Sequence, residues 1–517
     1  MSSPSNTTTM AQALPLEHSS DRMEQVNFNY SMKNIPISSE KDYLIELIYS
    51  VEKFVFNLDK RVNYFLNPIE KQHEKEYYGF PSTRAPPNCS ELDVMKDMLY
   101  DLIVGIKFRK HTNHFQNILK RDIREIAADT RLLISADKTN NFYHLPKDAH
   151  DDLLEKNIHK NYKKADNTVV RNITIGDKSI AEELEISDRV YCTSERQSFI
   201  TLKDHKPNFQ NAPSVRLLNP MKPDLGKVSK KLLENIVQNV REASDLNQWK
   251  NTTSVINWFK NIQNKSQYSF IQFDICNFYP SITEKLLDQA LDFALDFVPI
   301  SEEDRKTIKQ ARKLILYNGD TPWIKKGETN FDVGMGSFDG AEVCELVGLL
   351  ILSKLKPLGI NFGLYRDNGL GICRLSARQI ELVKKKMCAI FSQLDLKITT
   401  DVNHKKVNFL DVTFDLSTGI YKPYTKPNNT ILYVNRLSNH PPAVLKNIPE
   451  NVNKRLCSIS CNEKVFQEAA GPYQKALKDS GYDFELKYKN YVGGEGESRV
   501  KPKNRPRNIT WLNPHFP

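Results

Sequence analysis

Two acids at the ends of short apolar strands constrain what this chain can fold into. Ser269 to Asp274 alternates apolar and polar residues as a half-buried strand does, and it ends on an acid. Far downstream, Asn361 to Tyr365 and Leu370 to Arg374 form two more short apolar runs, around Asp367-Asn368-Gly369. The segments between and after them have helical spacing. Pro280 and Ser281 open a helix, Ser281 and Glu284 form a capping box, and Ile282, Leu286, Ala290, Ala294 and Phe297 supply its apolar face. Val343 to Leu355 is a strongly apolar helix. Ser376 and Gln379 cap another, buried through Ile380, Val383, Met387, Ile390 and Phe391. Strands follow at Leu396 to Thr400, Val407 to Phe414 and Ile420 to Tyr424. Strand, helix, helix, hairpin, helix, strand is the order of a split β-α-β sheet. In such a sheet the end of the first strand and the hairpin turn lie side by side, so Asp274 and Asp367 should meet.

The rest of the chain adds context. Its 517 residues suit two to four subdomains. Hydrophobic residues at 39% and aromatics at 10% are enough to bury real cores, which excludes global disorder. The net charge of +10 suits contact with a polyanion without requiring it. Residues 1 to 40 are expected as a disordered leader, with no signal peptide. Leu44, Leu47, Ile48, Val51, Val55 and Leu58 recur at helical spacing within Tyr43 to Leu66. A Pro-containing loop (Phe80 to Asn88) separates this helix from a second helical region, Leu92 to Ile126, and Leu132 to Ile134 is a short strand leading into Asp137-Lys138. Phe199 to Lys231 carries seven Lys or Arg against two acids and four prolines, which predicts a basic hairpin-like element followed by a helix, or a solvated charged loop. The eight cysteines are scattered, Cys457 and Cys461 most closely, as fits reduced thiols in the cytoplasm or nucleus. No stretch approaches the length of a membrane span, so no membrane partner is expected.

Paired acids on adjacent strand ends suit nucleotidyl transfer. That reaction is an in-line displacement at phosphorus and uses two divalent ions roughly 4 Å apart. Magnesium prefers one or two carboxylates together with substrate phosphates and water. A second reading competes. Asn-Gly between apolar runs is a strong hairpin signal, so Asp367-Asn368-Gly369 can equally be turn chemistry.

The motifs also carry a family resemblance. Phe273-Asp274-Ile275-Cys276-Asn277-Phe278-Tyr279 resembles the first catalytic motif of reverse transcriptases, and Tyr365-Arg366-Asp367-Asn368 resembles their Tyr-x-Asp-Asp box. Gly334-Met335-Gly336-Ser337 resembles the glycine motif between them, Leu202 to Asn219 the fingers motifs, and Asn408-Phe409-Leu410-Asp411-Val412 the segment after the palm helix. The resemblance covers roughly residues 130 to 475 and is nearest to the Penelope-like retroelement reverse transcriptases.

The resemblance implies an α+β right-hand polymerase fold with fingers, palm (a split β-α-β sheet) and thumb, plus a helical N-terminal extension. The corresponding segments are 41–130 for the extension, 131–268 for fingers, 269–425 for palm, 426–485 for thumb and 486–517 for a basic, flexible tail. It implies an RNA-directed DNA polymerase with an RNA template, a DNA primer and deoxynucleoside triphosphates as partners. Asp274 and Asp367 would hold two Mg2+ or Mn2+ ions, with Asn368 completing the box. Arg216 with Lys206 or Lys203 would contact the triphosphate, Tyr279 would discriminate against a 2′-hydroxyl, and Gly336 and Ser337 would approach template and nucleotide. Lys405 or Lys406 would be the general acid to pyrophosphate. The sequence departs from the family at Asn368, which replaces the second box Asp, and at Phe338-Asp339-Gly340, where a Pro-containing run is usual. The alternative reading is therefore a catalytically weakened nucleic-acid-binding relative. Gly419-Ile420-Tyr421, which begins like a nuclease motif of some relatives, is expected to be structural.

Overall fold

The computed structural model of the chain describes residues 23–26, 32–67, 89–108, 113–188, 190, 196–206, 208–426 and 429–489. The expected loop at 80–88 and residues 490–517 of the expected basic tail lie outside the described residues.

The N-terminal extension is helical as expected. Helix α1 (Glu40–Leu66) starts where the Ser39 side chain accepts the Asp42 N–H, an N-cap that satisfies one of the free donors of the first turn. The second helical region is two helices, α2 (Asp93–Gly105) and α3 (His114–Ala128). Of the expected leader only residues 23–26 and 32–40 are described, and these make defined contacts. Strand β1 (Glu24–Val26) pairs with β3 (Phe142–Leu145), which also pairs with β2 (Leu132–Ser135). Asn34 and Ile35 dock on the far end of the chain: the Asn435 N–H donates to Asn34 Oδ1 at 2.8 Å and the Ile35 N–H to Ser438 Oγ at 2.8 Å.

The fingers lobe contains α4 (Lys147–Asn161), β4 (Tyr162–Lys164) and α5 (Asn167–Glu183). The basic segment is the expected hairpin, β5 (Phe199–Leu202) on β6 (Val215–Leu218), and α6 (Leu225–Ala243) follows it.

The palm is built on one sheet. After β7 (Asn247–Gln248) and α7 (Thr252–Asn261) comes β8 (Ser269–Ile275), then α8 (Phe278–Ser281), α9 (Glu284–Ala294) and α10 (Glu302–Gln310). The hairpin β9 (Ile315–Asn318) and β10 (Thr321–Lys325) pairs with β4. Then come α11 (Gly340–Leu355), β11 (Asn361–Tyr365), β12 (Asn368–Cys373), α12 (Ala377–Gln393) and β13 (Ile398–His404). The sheet order β13-β8-β12-β11-β7 is the split β-α-β order with β7 added at the edge. Ser376 and Gln379 form the expected capping box of α12, whereas α9 is capped by Thr283 in place of Ser281. The expected strand Val407 to Phe414 is instead a hairpin, β14 (Lys406–Phe409) and β15 (Val412–Asp415), followed by β16 (Tyr421–Pro423), where Tyr421 is buried.

The two faces of this sheet are covered unequally. Ile271, Phe273 and Ile275 of β8 pack with α6, α9, α11 and α12 in the largest core cluster. On the other face, Phe270 packs with Phe259 of α7 and with Phe414 and Tyr421 of the β14–β16 sheet. That second cover reaches Phe270, and Asp274 at the far end of the same face is exposed. The thumb is α13 (Pro442–Ser458) against α14 (Glu463–Asp479), closed around Leu456, Phe466 and Leu477. The fold is thus α+β in the right-hand arrangement, with palm, fingers, thumb and a helical N-terminal extension.

Candidate active site

Strand pairing brings the two acids together. In the register of β12 on β8, Asn368 lies opposite Asp274, and on the other side Thr399 of β13 lies opposite Asp274. The Ile275 N–H donates to the Asp367 carbonyl at 2.9 Å. The hairpin turn is Arg366-Asp367, flanked by the Tyr365–Asn368 pair. Asn368 and Gly369 are therefore strand residues, which removes the reading of Asn-Gly as the turn. Arg366 carries the positive φ, +54°, a sparsely populated conformation for a side-chain-bearing residue and a mark of local strain. Gly369 serves packing: a Cβ there would stand 2.0 Å from the Phe273 ring. The Asn368 amide donates to Asp367 Oδ1 at 2.8 Å.

Asp274 is open to solvent by surface area, yet desolvation by the surrounding cleft wall and then the charge of Asp367 push its carboxyl up, while Lys138, Lys206 and Lys426 pull it down. Among the described residues no group of three or more His, Cys, Asp or Glu side chains is placed to hold a metal ion. The donor set here is two carboxylates and an amide. It fits a site in which phosphates and water complete the shell, the usual manner for Mg2+.

These residues open on a cleft of about 680 Å3 between palm and fingers. Of the expected site residues, Lys203, Lys206, Arg216, Asp274, Tyr279, Gly336, Asp367 and Asn368 all line it. Arg216 is held by Asp137 at 2.9 Å, and the backbone N–H of Asp137 donates to the Leu202 carbonyl. Asp204 accepts from Thr139 Oγ1, Asn141 Nδ2 and Tyr143 OH, which fastens the loop after β5 to the β2–β3 hairpin. Burial, then the charge of Arg216, holds the Lys203 ammonium below its usual range. Tyr279 OH accepts from Arg366 at 3.4 Å, and burial raises its phenol.

Two expectations do not meet the cleft. Ser337 turns inward, donating to the Gly334 carbonyl at 2.9 Å and accepting from Arg312 at 3.1 Å. Lys405 donates to the carbonyls of Ser266 and Tyr268, next to the first residue of β8, whereas Asp274 sits near its last. A seven-residue strand spans roughly 20 Å, which rules Lys405 out as the general acid. Lys406 pairs with Asp415 in β14–β15, outside the cleft lining.

Sequence reasoning missed Lys138, His205, Arg366 and Lys426. Lys138, His205 and Arg366 line the cleft, and Lys426 acts on Asp274 from the palm–thumb connection. The one local signal was Asp137-Lys138 directly after a strand. The seven described cysteines are free thiols, and no described helix is long and apolar enough to cross a membrane.

No protein-family model matches the chain, and no curated protein matches it. Among solved structures it is similar to the telomerase of Candida albicans in complex with a TWJ fragment of telomeric RNA, at 9% identity and TM-score 0.49 over 86% of this chain and 88% of that one. It is also similar to the apo telomerase of Candida tropicalis, at 11% identity and TM-score 0.42 over 87% and 90%. A third is the RNA-dependent RNA polymerase of a human picobirnavirus, at 12% identity and TM-score 0.39 over 76% and 84%.

Proposed function

We propose that the chain is a template-directed nucleotidyltransferase, an RNA-dependent DNA polymerase of a Penelope-like retroelement. The observation that carries this reading is the strand register that sets Asp274 and Asn368 opposite each other, with Asp367 in the adjoining turn, at the mouth of a cation-lined cleft. Asp274 and Asp367 would hold the divalent ions, with the Asn368 side-chain carbonyl oxygen as a neutral third donor. The chemistry such ions supply when bound is activation of a primer 3′ oxygen and neutralisation of charge on the triphosphate.

The remaining steps belong to the chain's own residues. Lys203, Lys206 and Lys138 bind the triphosphate, and their charge is worth most where the transition state spreads negative charge over phosphoryl oxygens. Arg216, steadied by Asp137, fixes the edge of that pocket. Tyr279 lies beneath the sugar, and Gly336, at φ +101°, lets backbone approach the nucleotide where a side chain would be strained. The thumb grips the duplex by its phosphates. RNA template, DNA primer and deoxynucleoside triphosphates are the partners, inside the cell.

Asn368 favours a second reading, a weakened or inactive relative that binds nucleic acid and turns over slowly. Primer extension on RNA and DNA templates with Mg2+ and Mn2+, comparing wild type with Asn368→Asp, tests the two. Activity in both chains supports the polymerase. Activity only in Asn368→Asp makes the native chain a binding protein. Failure of wild type to bind primer–template at low salt removes both readings.

A further inference from the structure

The loop that brings Gly336 to the cleft is held from beneath by a buried ion pair. Arg312 lies between α10 and β9, and Asp339 immediately precedes α11; both side chains are fully buried. The guanidinium donates through one amino group to Asp339 Oδ1 and through the other to the Ser337 hydroxyl at 3.1 Å. The second Asp339 oxygen accepts from Ser229 of α6 at 2.5 Å. Ser337 closes the loop on itself, its hydroxyl and its N–H both donating to the Gly334 carbonyl, at 2.9 and 3.2 Å. Asp339 occupies the N-cap position of α11 yet makes no side-chain cap bond, so its carboxylate is given to the ion pair in place of the helix end.

The same loop abuts the residue beneath the sugar. A Cβ placed on Gly340 would stand 2.7 Å from Ser337 Oγ and 3.7 Å from the Tyr279 ring. The first residue of α11 thus lies between Ser337 of the loop and the Tyr279 ring. Stability alone is a poor reason for such a pair, because well-packed hydrophobic replacements of buried ion pairs are often neutral or stabilising. A guanidinium fork does supply direction, since it fixes two acceptors at set angles.

We infer that Arg312 and Asp339 are positioning residues that set the Gly336 loop against Tyr279 and so govern discrimination between deoxyribo- and ribonucleotides. The inference rests on the polymerase reading of the same cleft. It also gives Asp339, where the family usually has a Pro-containing run, a purpose in this chain.

The test is single-nucleotide incorporation by the full chain, measured with a deoxynucleotide and the matching ribonucleotide, beside melting temperature and retention of labelled deoxynucleotide on the protein–primer–template complex. The variants are Arg312→Lys, Asp339→Asn and the double variant Arg312→Met with Asp339→Leu. The double variant should melt within a few degrees of wild type, while its deoxy-to-ribo ratio of kcat/KM falls about tenfold or more, mostly through KM for the deoxynucleotide. Arg312→Lys, which keeps the charge and loses the fork, should fall part of the way, and it serves if the double variant does not fold. Folded variants that melt lower but keep the wild-type ratio overturn the inference and leave the polymerase reading intact. A wild-type chain that neither incorporates nor retains nucleotide overturns both.

Discussion

Asn368 of β12 stands directly opposite Asp274 of β8, and its amide donates to Asp367 Oδ1 at 2.8 Å. A neutral side chain thus sits between two acids and spends its N–H on one of them. Asn368→Asp would replace that hydrogen bond with a like-charge contact. Without divalent ions the variant should melt below wild type. With Mn2+ present it should gain more than wild type gains, because a ligand that binds only the folded state stabilises in proportion to its affinity. An equal Mn2+-induced rise in both proteins would contradict this account of the site.

Gly369 is required by packing. Alanine there would press into the Phe273 ring, which is almost fully buried. Overpacking of this kind costs about 1–3 kcal/mol. Gly369→Ala should lower stability by that amount in urea unfolding, and adding Phe273→Leu should recover part of it. No recovery would place the fault in the backbone.

Asp177 gives a pH-dependent test away from the cleft. Burial pushes its carboxyl up to about 6, against the Gln310 amide that donates to it at 2.9 Å. A carboxyl raised by folding contributes stability that is fully present below its unfolded value, roughly 3.9, and is lost as pH rises through about 6. Asp177→Asn keeps an acceptor for Gln310 and removes the charge. The variant should exceed wild type by about 3 kcal/mol at pH 8 and match it near pH 4. Equal stability at pH 8 would show that Asp177 is ionised without penalty.

Lys206 lines the cleft and has no ion-pair partner among the described residues, whereas Arg216 is held by Asp137. Lys206→Ala should raise KM for the nucleotide about tenfold, a loss of roughly 1.4 kcal/mol, with primer–template affinity little changed. A fall in primer–template affinity with KM unchanged would assign Lys206 to the nucleic-acid backbone.

The palm was legible because each of its elements buries one face. The alternation in Ser269 to Asp274, the apolar run of α11 and the Ser376 capping box mark where strands and helices lie. Turns set by pairing were not legible. Leu410 takes φ +55° at the tip of the β14–β15 hairpin, and nothing in an apolar residue announces that. Likewise the pairing of Asn368 with Asp274 moved the turn of the β11–β12 hairpin back to Arg366-Asp367, although Asn-Gly is the better local turn signal. In the site, Asp274 and Asp367 were found from their motifs, while Lys138 and Lys426 come from the fingers and the palm–thumb connection and meet Asp274 only through the tertiary fold.

The central claim is that Asp274 and Asp367 form a working nucleotidyl-transfer site. The direct measurement is extension of an annealed primer on an RNA template by one nucleotide, with Mn2+ or Mg2+, for wild type and for Asp274→Ala purified with the same melting temperature or higher. The account predicts extension by wild type and its loss, by about a thousandfold or more, in Asp274→Ala. Equal extension by the two proteins, or none by either across templates and metals, would contradict it.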